Sequence, residues 1–174
     1  HKEGINSVRE ITRVCGEIGV KHLTLFTFST ENWKRPSSEV TALMKLLLTT
    51  IKEEIKELHA KDVRFTIIGD LNTIPSSTAN GLRNGIELTK GNSGLNLNLA
   101  LNYGSHQEIV RAVKSLAQKA KAGEIDPENI DEEVLSKFLY TSDMTDPELL
   151  IRTSGERRLS NFLLWQIAYT EIYM

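Results

Sequence analysis

Short runs of β-branched and aromatic residues alternate along this chain with longer segments in which apolar residues recur every three or four positions. Residues 22–28 are typical of a strand, and residues 40–58 form one wide apolar stripe at helical spacing. Further strands are predicted at 63–68, 95–99 and 149–151, and further helices at 5–18, 76–89, 109–120 and 131–139. Because strands separated by helices usually pair in parallel, the sequence predicts a single α/β domain over residues 1–174, with a mostly parallel central sheet surrounded by helices.

Composition narrows the class of protein. The 174 residues carry a net charge of −2, with 40% hydrophobic and 25% charged residues. A general nucleic-acid binder usually has a strong basic excess, so no nucleic-acid partner is expected. One cysteine, Cys15, excludes an internal disulfide, and its place on an apolar helix stripe predicts a core residue. No apolar run approaches the roughly 20 residues that span a bilayer, and we expect a cytoplasmic protein.

A polar loop directly follows the first predicted strand. Arg35 could bind a phosphate, and Ser29 and Asn32 could donate hydrogen bonds to it. Trp33 could cover an attached apolar group. The same residues are also compatible with a solvated connection that only leads into the next helix, and the residues alone leave both interpretations open.

A second loop, at 152–160, is rich in arginine. Arg152 and Arg158 can bind phosphate oxygens through two parallel hydrogen bonds, and Gly155 lets the backbone approach an anion closely. An exposed charged loop is the alternative. Because this loop follows a strand that we expect to be buried, the sequence favours phosphate binding.

Three other features have less specific interpretations. The long helix is most simply explained by core packing, although its stripe could also form the wall of a tunnel for a hydrocarbon. His1 could be a general acid–base group or a phosphate contact, and Glu171 could help to hold a metal ion. Residues of both kinds are more often simply solvated.

Taken together, these segments resemble the cis-prenyltransferase family, and within it the bacterial undecaprenyl diphosphate synthases. The loop that contains Asn32 and Trp33 and the final segment are the most specific. The matching stretches are 1–4, 23–25, 28–33, 35–36, 67–70, 97–98, 102–104, 151–153, 155–156 and 158–171.

The resemblance implies that isopentenyl diphosphate is condensed sequentially onto farnesyl diphosphate, with magnesium (Mg²⁺) assisting departure of the allylic diphosphate. It implies a parallel sheet with helices around it, a homodimer, and undecaprenyl diphosphate as the product, which serves as the lipid carrier precursor of cell-wall and peptidoglycan synthesis. A product this apolar must leave into a bilayer, so transient peripheral contact with the inner face of the membrane is expected.

The resemblance also assigns roles to single residues. By position, Arg152, Arg158 and Ser160 would bind isopentenyl diphosphate, and Glu171 would support magnesium and the same substrate. Further residues fall at family positions for catalysis, for substrate placement and for the tunnel wall. They are Ser29, Asn32 and His1 for catalysis, Trp33, Arg35 and Glu39 for the substrate, and Leu47, Ile51 and Leu95 for the tunnel.

Two parts of the family pattern do not occur in this sequence. The Asp-Gly-Asn-Gly-Arg-Trp motif, which carries the main magnesium ligand, is expected before His1, and an apolar stretch with an arginine-containing tail is expected after Met174. We therefore interpret the sequence as the interior of a longer protein. Two rival functions remain: a synthase of shorter or medium chains, and a non-catalytic partner subunit. A generic nucleotide-binding protein is disfavoured because neither a P-loop nor a G-x-G-x-x-G motif follows a strand.

Overall fold

The computed structural model describes the backbone of residues 2–174 and the side chains from Gly4 onward. The chain forms two compact units: the first ends at Asn102, and the second is Tyr103–Met174. His1, one of the predicted catalytic residues, lies outside the described residues. No helix in residues 2–174 is long and apolar enough to cross a membrane.

The first unit alternates helices and strands. Its elements are α1 (Lys2–Glu17), β1 (His22–Ser29), a 3₁₀ turn (Thr30–Lys34), α2 (Ser37–Ala60), β2 (Arg64–Ile68), α3 (Ser76–Thr89) and β3 (Asn96–Tyr103). The last residue of β3 already belongs to the second unit. That unit continues with α4 (Ser105–Lys121), a 3₁₀ turn (Pro127–Asn129), α5 (Glu132–Ser136), β4 (Leu149–Ile151) and β5 (Glu171–Tyr173).

Parallel pairing is found in both units, which confirms the predicted α/β class. The first sheet has the order β1-β3-β2, and β2 pairs in parallel with β3 from Arg64 opposite Asn96 to Ile68 opposite Ala100. In the second unit β4 pairs in parallel with β5, with Leu149 opposite Glu171. The strand β5 was not predicted, because its three residues, Glu171–Tyr173, do not form a continuous apolar run like that of Leu149–Ile151.

The strand β3 differs from its prediction. Alternating Leu and Asn residues indicated a half-polar strand over 95–99, whereas β3 extends from Asn96 to Tyr103 and all eight residues are buried. Hydrogen bonds between strands make this possible: Thr66 Oγ1 donates to Asn96 Oδ1 at 2.8 Å, and Asn98 Nδ2 donates to Thr24 Oγ1 at 3.2 Å. Because their amides have partners, these side chains can be buried at low cost.

The core of the first unit lies where α2 and α3 pack on the sheet. Helix α3 approaches α2 closely because two of its residues are glycines: a Cβ at Gly81 would lie 2.3 Å from Leu48 Cδ1, and one at Gly85 would lie 3.1 Å from Ile55 Cδ1. Cys15 belongs to the same core with 8% of its surface exposed, as predicted.

Candidate active site

The end of β1 presents a compact group of polar side chains. Because Thr30–Lys34 form a 3₁₀ turn directly after Ser29, the predicted residues Ser29 and Asn32 are brought together. The Ser29 backbone N–H donates to Asn32 Oδ1 at 2.9 Å, which fixes the Asn32 amide through its oxygen. We call residues 29–35 the polar turn.

Arg35 is the last residue of the polar turn, and its positive charge is balanced by a neighbouring carboxylate. Its Nη1 donates to Glu39 Oε1 at 2.5 Å, from the turn to the first turn of α2. Both side chains are about half exposed, at 49% and 45%. An anion could therefore reach the guanidinium from solvent, in competition with a carboxylate that belongs to the protein.

Trp33 is held by a residue to which sequence reasoning gave no role. Its Nε1 donates to Asn102 Oδ1 at 2.7 Å, while its ring meets Phe28 edge-on with 5.2 Å between the ring centroids. Asn102 in turn donates through Nδ2 to the Asp70 carbonyl and to Thr73 Oγ1. The sequence offered one signal: asparagine tolerates left-handed backbone where a strand ends, and Asn102 has φ +49°.

An apolar cavity of about 810 Å³ lies between α1, α2 and the sheet. Leu47, Ile51 and Leu95, the residues expected from the resemblance to line a tunnel, are all in its wall. Thr27 of β1 also lines it, two residues before Ser29, although no residue of the polar turn is in the lining. Its volume lies in the range of about 300–1,000 Å³ that is typical of ligand sites, which favours the tunnel interpretation of α2 over simple core packing.

Charged residues also line the cavity: Arg9, Arg13 and Glu17 on α1, Glu54 and Glu57 on α2, and Lys61 and Asp62 directly after α2. Arg9 of α1 and Glu54 of α2 both face the cavity and form an ion pair with each other. Sequence reasoning did not single out either residue, because one charge beside an apolar stripe looks like an ordinary helix surface.

The second unit contains the arginine loop (residues 152–160). Arg152 directly follows β4, and its backbone N–H donates to the Tyr173 carbonyl at 2.9 Å. Arg158 forms an ion pair with Glu156 and is 69% exposed. Gly155 adopts φ +68°, in the left-handed region that glycine enters without strain.

The end of the arginine loop is anchored on the first turn of α4. Ser160 and Asn161 have φ +54° and +59°. The Asn161 side chain accepts from the His106 N–H at 2.9 Å, and its carbonyl accepts from the Ser105 N–H at 2.8 Å. These contacts fix the direction in which the chain leaves Ser160.

A buried carboxylate lies behind this anchor. Glu108 is 1% exposed, and it accepts from the Tyr103 hydroxyl, the Tyr140 N–H at 2.7 Å and Gln166 Nε2 at 3.1 Å. Burial, followed by the charge of Glu108 and the hydrogen bond to it, raises the pKa of Tyr103 well above its usual range. The tyrosine therefore remains a hydrogen-bond donor at all physiological pH values.

The predicted metal ligand, Glu171, is the exposed first residue of β5. Residues 4–174 contain no group of three or more His, Cys, Asp or Glu side chains that could hold a metal ion. Magnesium is commonly bound through one or two carboxylates together with substrate phosphates and water. Glu171 fits such a role as a single carboxylate ligand.

Comparison with other proteins identifies the family. A family model described as "Putative undecaprenyl diphosphate synthase" matches residues 1–174. An isoprenyl transferase of Clostridium perfringens is 51% identical over 173 residues, which cover 99% of this chain and 68% of that protein. One of Heliobacterium mobile is 49% identical over 174 residues, covering 100% of this chain and 67% of that protein.

Solved structures agree with the sequence comparison. Lavandulyl diphosphate synthase of Lavandula x intermedia, in complex with dimethylallyl diphosphate, superposes with a TM-score of 0.95 at 34% identity over 98% of this chain and 74% of that one. A probable undecaprenyl diphosphate synthase of Campylobacter jejuni gives 0.87 at 35% identity, over 99% and 79%. The chain therefore belongs to the undecaprenyl diphosphate synthase family, whose members are prenyl-transferring enzymes.

Proposed function

We propose that this protein condenses isopentenyl diphosphate repeatedly onto farnesyl diphosphate to give undecaprenyl diphosphate. The observation that carries the proposal is the apolar cavity of about 810 Å³, whose lining reaches Thr27, two residues before the polar turn. An isoprenoid diphosphate has the same two-part chemistry, with an anionic head and a long apolar chain. Burial of that chain in the cavity is favourable in proportion to the apolar surface removed from water.

Each cycle of the proposed reaction moves one prenyl group. The bond between the allylic carbon and its diphosphate oxygen breaks, and the diphosphate leaves with the electron pair. The double bond of isopentenyl diphosphate supplies the electrons for the new carbon–carbon bond. Loss of one proton then forms the new cis double bond, so the products are inorganic diphosphate, a proton and a prenyl diphosphate longer by one isoprene unit.

The polar turn would serve the reacting end of the substrates. Arg35 would bind an anionic oxygen in place of Glu39, and the Ser29 hydroxyl and Asn32 amide are proposed to take part in proton removal. Trp33 has a fixed indole that would cover the adjoining apolar carbons. Neither a hydroxyl nor an amide is basic enough to keep that proton, so these two side chains would orient the reacting groups and pass the proton on to solvent.

The arginine loop would bind isopentenyl diphosphate. Arg152 and Arg158 supply two guanidinium groups, and Ser160 supplies a hydroxyl at the anchored end of the loop. The pairing of Arg158 with Glu156 is exposed to solvent, so a doubly charged diphosphate can replace the single carboxylate.

Magnesium is part of the same proposal, with Glu171 as one ligand. When bound, it would neutralise charge on the departing diphosphate. The proposal also includes a homodimer in the cytoplasm, and transient contact of the protein with the inner face of the membrane during product release.

The same reaction could give a short or a long prenyl product. Lavandulyl diphosphate synthase was solved with dimethylallyl diphosphate, a short substrate, so a similar fold also serves short chains. The apolar wall of the cavity reaches from Leu43 to Leu58 of α2, and this length favours a long product. A non-catalytic partner subunit is disfavoured because Ser29, Asn32 and Arg35 are all present.

The test is an incorporation assay on the full-length protein. It is incubated with farnesyl diphosphate, radiolabelled isopentenyl diphosphate and magnesium, with and without EDTA, and the products are sized by chromatography. An EDTA-sensitive ladder that ends at eleven isoprene units is the expected result. One short product would overturn the chain length and keep the chemistry, whereas no incorporation would overturn the enzyme proposal in favour of the partner subunit.

A further inference from the structure

Two oppositely charged side chains join α1 to α2 where both helices line the cavity. On α1, Arg9 lies beside Val8 and Thr12, which also line the cavity. On α2, Glu54 follows Ile51 by three residues, about 4.5 Å along the helix, and also lines the cavity. Other charged residues of the lining pair locally, Arg13 with Glu17 and Glu57 with Lys61, whereas Arg9 and Glu54 pair across the two helices.

The two charged groups form a bidentate ion pair. Arg9 Nε donates to Glu54 Oε2 at 2.8 Å, and Arg9 Nη2 donates to Glu54 Oε1. Glu54 is largely shielded from water, with 15% of its side chain exposed, whereas Arg9 is 53% exposed. A carboxylate that is shielded from water destabilises the protein when it has no partner. Conformations in which Arg9 remains paired with Glu54, and α1 therefore remains against α2, are favoured for this reason.

Helix α1 has little other burial to hold it in place. Among residues 4–17, only Thr12 and Cys15 are buried, and the remaining side chains are exposed or half-buried. The Arg9–Glu54 pair ties this helix to α2 at the level of the cavity. A change in the pair would therefore change the spacing of the two helices that form the cavity wall.

We propose that the Arg9–Glu54 pair determines product length, because it fixes the spacing of α1 and α2 and so limits how much isoprenoid chain the cavity admits. This inference rests on the proposed function. When the pair is intact, further elongation has to push α1 away from α2 against a bidentate ion pair. When the pair is broken, α1 yields and longer chains fit.

The first test compares product lengths in the full-length protein with farnesyl diphosphate and isopentenyl diphosphate. Glu54→Gln keeps the shape of the side chain and removes its charge. The ratio of products beyond the wild-type length to the wild-type product should rise about two- to fivefold, the size expected for loss of one partly exposed ion pair. An unchanged ratio in a folded variant overturns the inference.

Matched variants separate the pair from a general loss of charge. The swapped double variant Arg9→Glu/Glu54→Arg restores an ion pair and should return the ratio towards the wild-type value. Glu133→Gln removes the exposed ion pair with Lys137, in the second unit, and should leave product length unchanged. If Glu54→Gln does not fold, Arg9→Lys, which keeps the charge and loses the fork, takes its place with the same expected direction.

A second readout does not depend on catalysis. Cys15 is the one cysteine in this sequence, and it lies buried on α1. Loosening of α1 should therefore expose its thiol, and labelling by a maleimide should be about two- to fivefold faster in Glu54→Gln than in the wild type. Equal labelling rates overturn the inference even if the protein proves to be inactive, while a wild type without prenyl transfer overturns the proposed function alone.

Discussion

The indole Nε1 of Trp33 donates a hydrogen bond to Asn102 Oδ1 at 2.7 Å, which joins the turn after β1 to the end of β3. The same amide donates to the Asp70 carbonyl at 2.8 Å and to Thr73 Oγ1 at 2.7 Å, in the segment after β2. One side chain at the end of β3 thus connects the segments that follow β1 and β2. Its left-handed backbone, at φ +49°, aims the amide between them.

Replacement of this amide should cost both stability and activity. Asn102→Asp keeps the acceptor for Trp33 and the tolerance for left-handed backbone, but it loses both donated hydrogen bonds and places a carboxylate oxygen against the Asp70 carbonyl. We expect the free energy of unfolding to fall by about 1–3 kcal/mol and prenyl transfer to slow. Urea unfolding and initial rates measure the two effects. Asn129→Asp, an exposed change in the second unit, serves as the control, and equal effects of the two changes would contradict the assigned role.

Gly69 is required by the backbone path that brings Asp70 to Asn102. It has φ +118°, and a Cβ there would lie 1.9 Å from the Leu101 carbonyl oxygen. Gly69→Ala should therefore destabilise the protein by more than about 2 kcal/mol, since both the conformation and the contact are unfavourable.

Gly123→Ala is the matched control for this prediction. Its φ is +74°, and nothing lies within 4 Å of the added Cβ, so it carries the conformational cost alone, of about 1–2 kcal/mol. The difference between the two variants in thermal or urea unfolding measures the overlap with Leu101. Equal losses would show that the close approach at Gly69 relaxes without cost.

Periodicity was a sufficient guide where an element has one clear apolar face or a short apolar run. Helix α3 was predicted with the bounds it has, Ser76–Thr89, and so was the strand Leu149–Ile151. The expectation that this strand is buried was wrong, because Leu149 and Ile151 are 56% and 55% exposed. Ser29, Asn32 and Trp33 were predicted as one site, because a run of hydrogen-bonding residues directly after a strand is brought together by a single turn.

The same reasoning could not predict polar side chains that are buried because they hydrogen-bond to each other. The apolar residues that predict α4 include Ile109, Val113 and Leu116, but Val113 is 50% exposed, and the buried residues of α4 include Glu108 and Ala112. Glu108 can be buried only because Tyr103 and Gln166 donate to it, and both partners are distant from the predicted stripe. A pattern of apolar residues in one segment cannot show a partner in another.

Arg158 should determine the affinity for isopentenyl diphosphate. Arg158→Lys keeps the charge and loses the planar fork, so the KM for this substrate should rise about tenfold with a smaller change in kcat. The farnesyl diphosphate KM is the internal control and should change little. A fall in kcat with an unchanged KM would show that the residue acts in the transition state instead.

Glu156 should oppose the same binding step. It holds the Arg158 guanidinium in an ion pair that the substrate has to displace. Glu156→Gln should therefore lower the KM for isopentenyl diphosphate by about two- to fivefold, the effect of one exposed ion pair. A raised KM would contradict this competition and would indicate that Glu156 contributes to the site.

A large side chain in the cavity should shorten the product. Leu47→Trp adds an indole to the cavity wall on α2, so elongation should stop earlier while the first condensation proceeds. Chromatography of the labelled products measures the shift. Val110→Trp on α4, where the native side chain is 52% exposed, is the matched control and should give the wild-type ladder. An unchanged ladder in a folded Leu47→Trp variant would contradict the placement of the chain in this cavity.

Asp62 should contribute to the acid sensitivity of folding. It lies between α2 and β2 with φ +58°, and the Ser93 N–H and hydroxyl each donate to one of its carboxylate oxygens at 3.0 Å. These hydrogen bonds, the backbone one first, hold the pKa of Asp62 below its usual value of 3.8. Because the folded pKa is the lower one, the stabilisation is complete above the unfolded pKa and is lost as pH falls through the folded one.

The variant Asp62→Asn removes this titration and keeps a residue that accepts left-handed backbone. At pH 7 the wild type should be the more stable protein, and the difference between the two should narrow as the pH is lowered from about 5 to 3. Urea unfolding at four pH values across this range measures the difference. The control Asp143→Asn changes an exposed aspartate elsewhere in the chain. A difference between wild type and Asp62→Asn that stays constant with pH would contradict the prediction, since it would mean that the hydrogen bonds from Ser93 stabilise the charged and the neutral side chain equally.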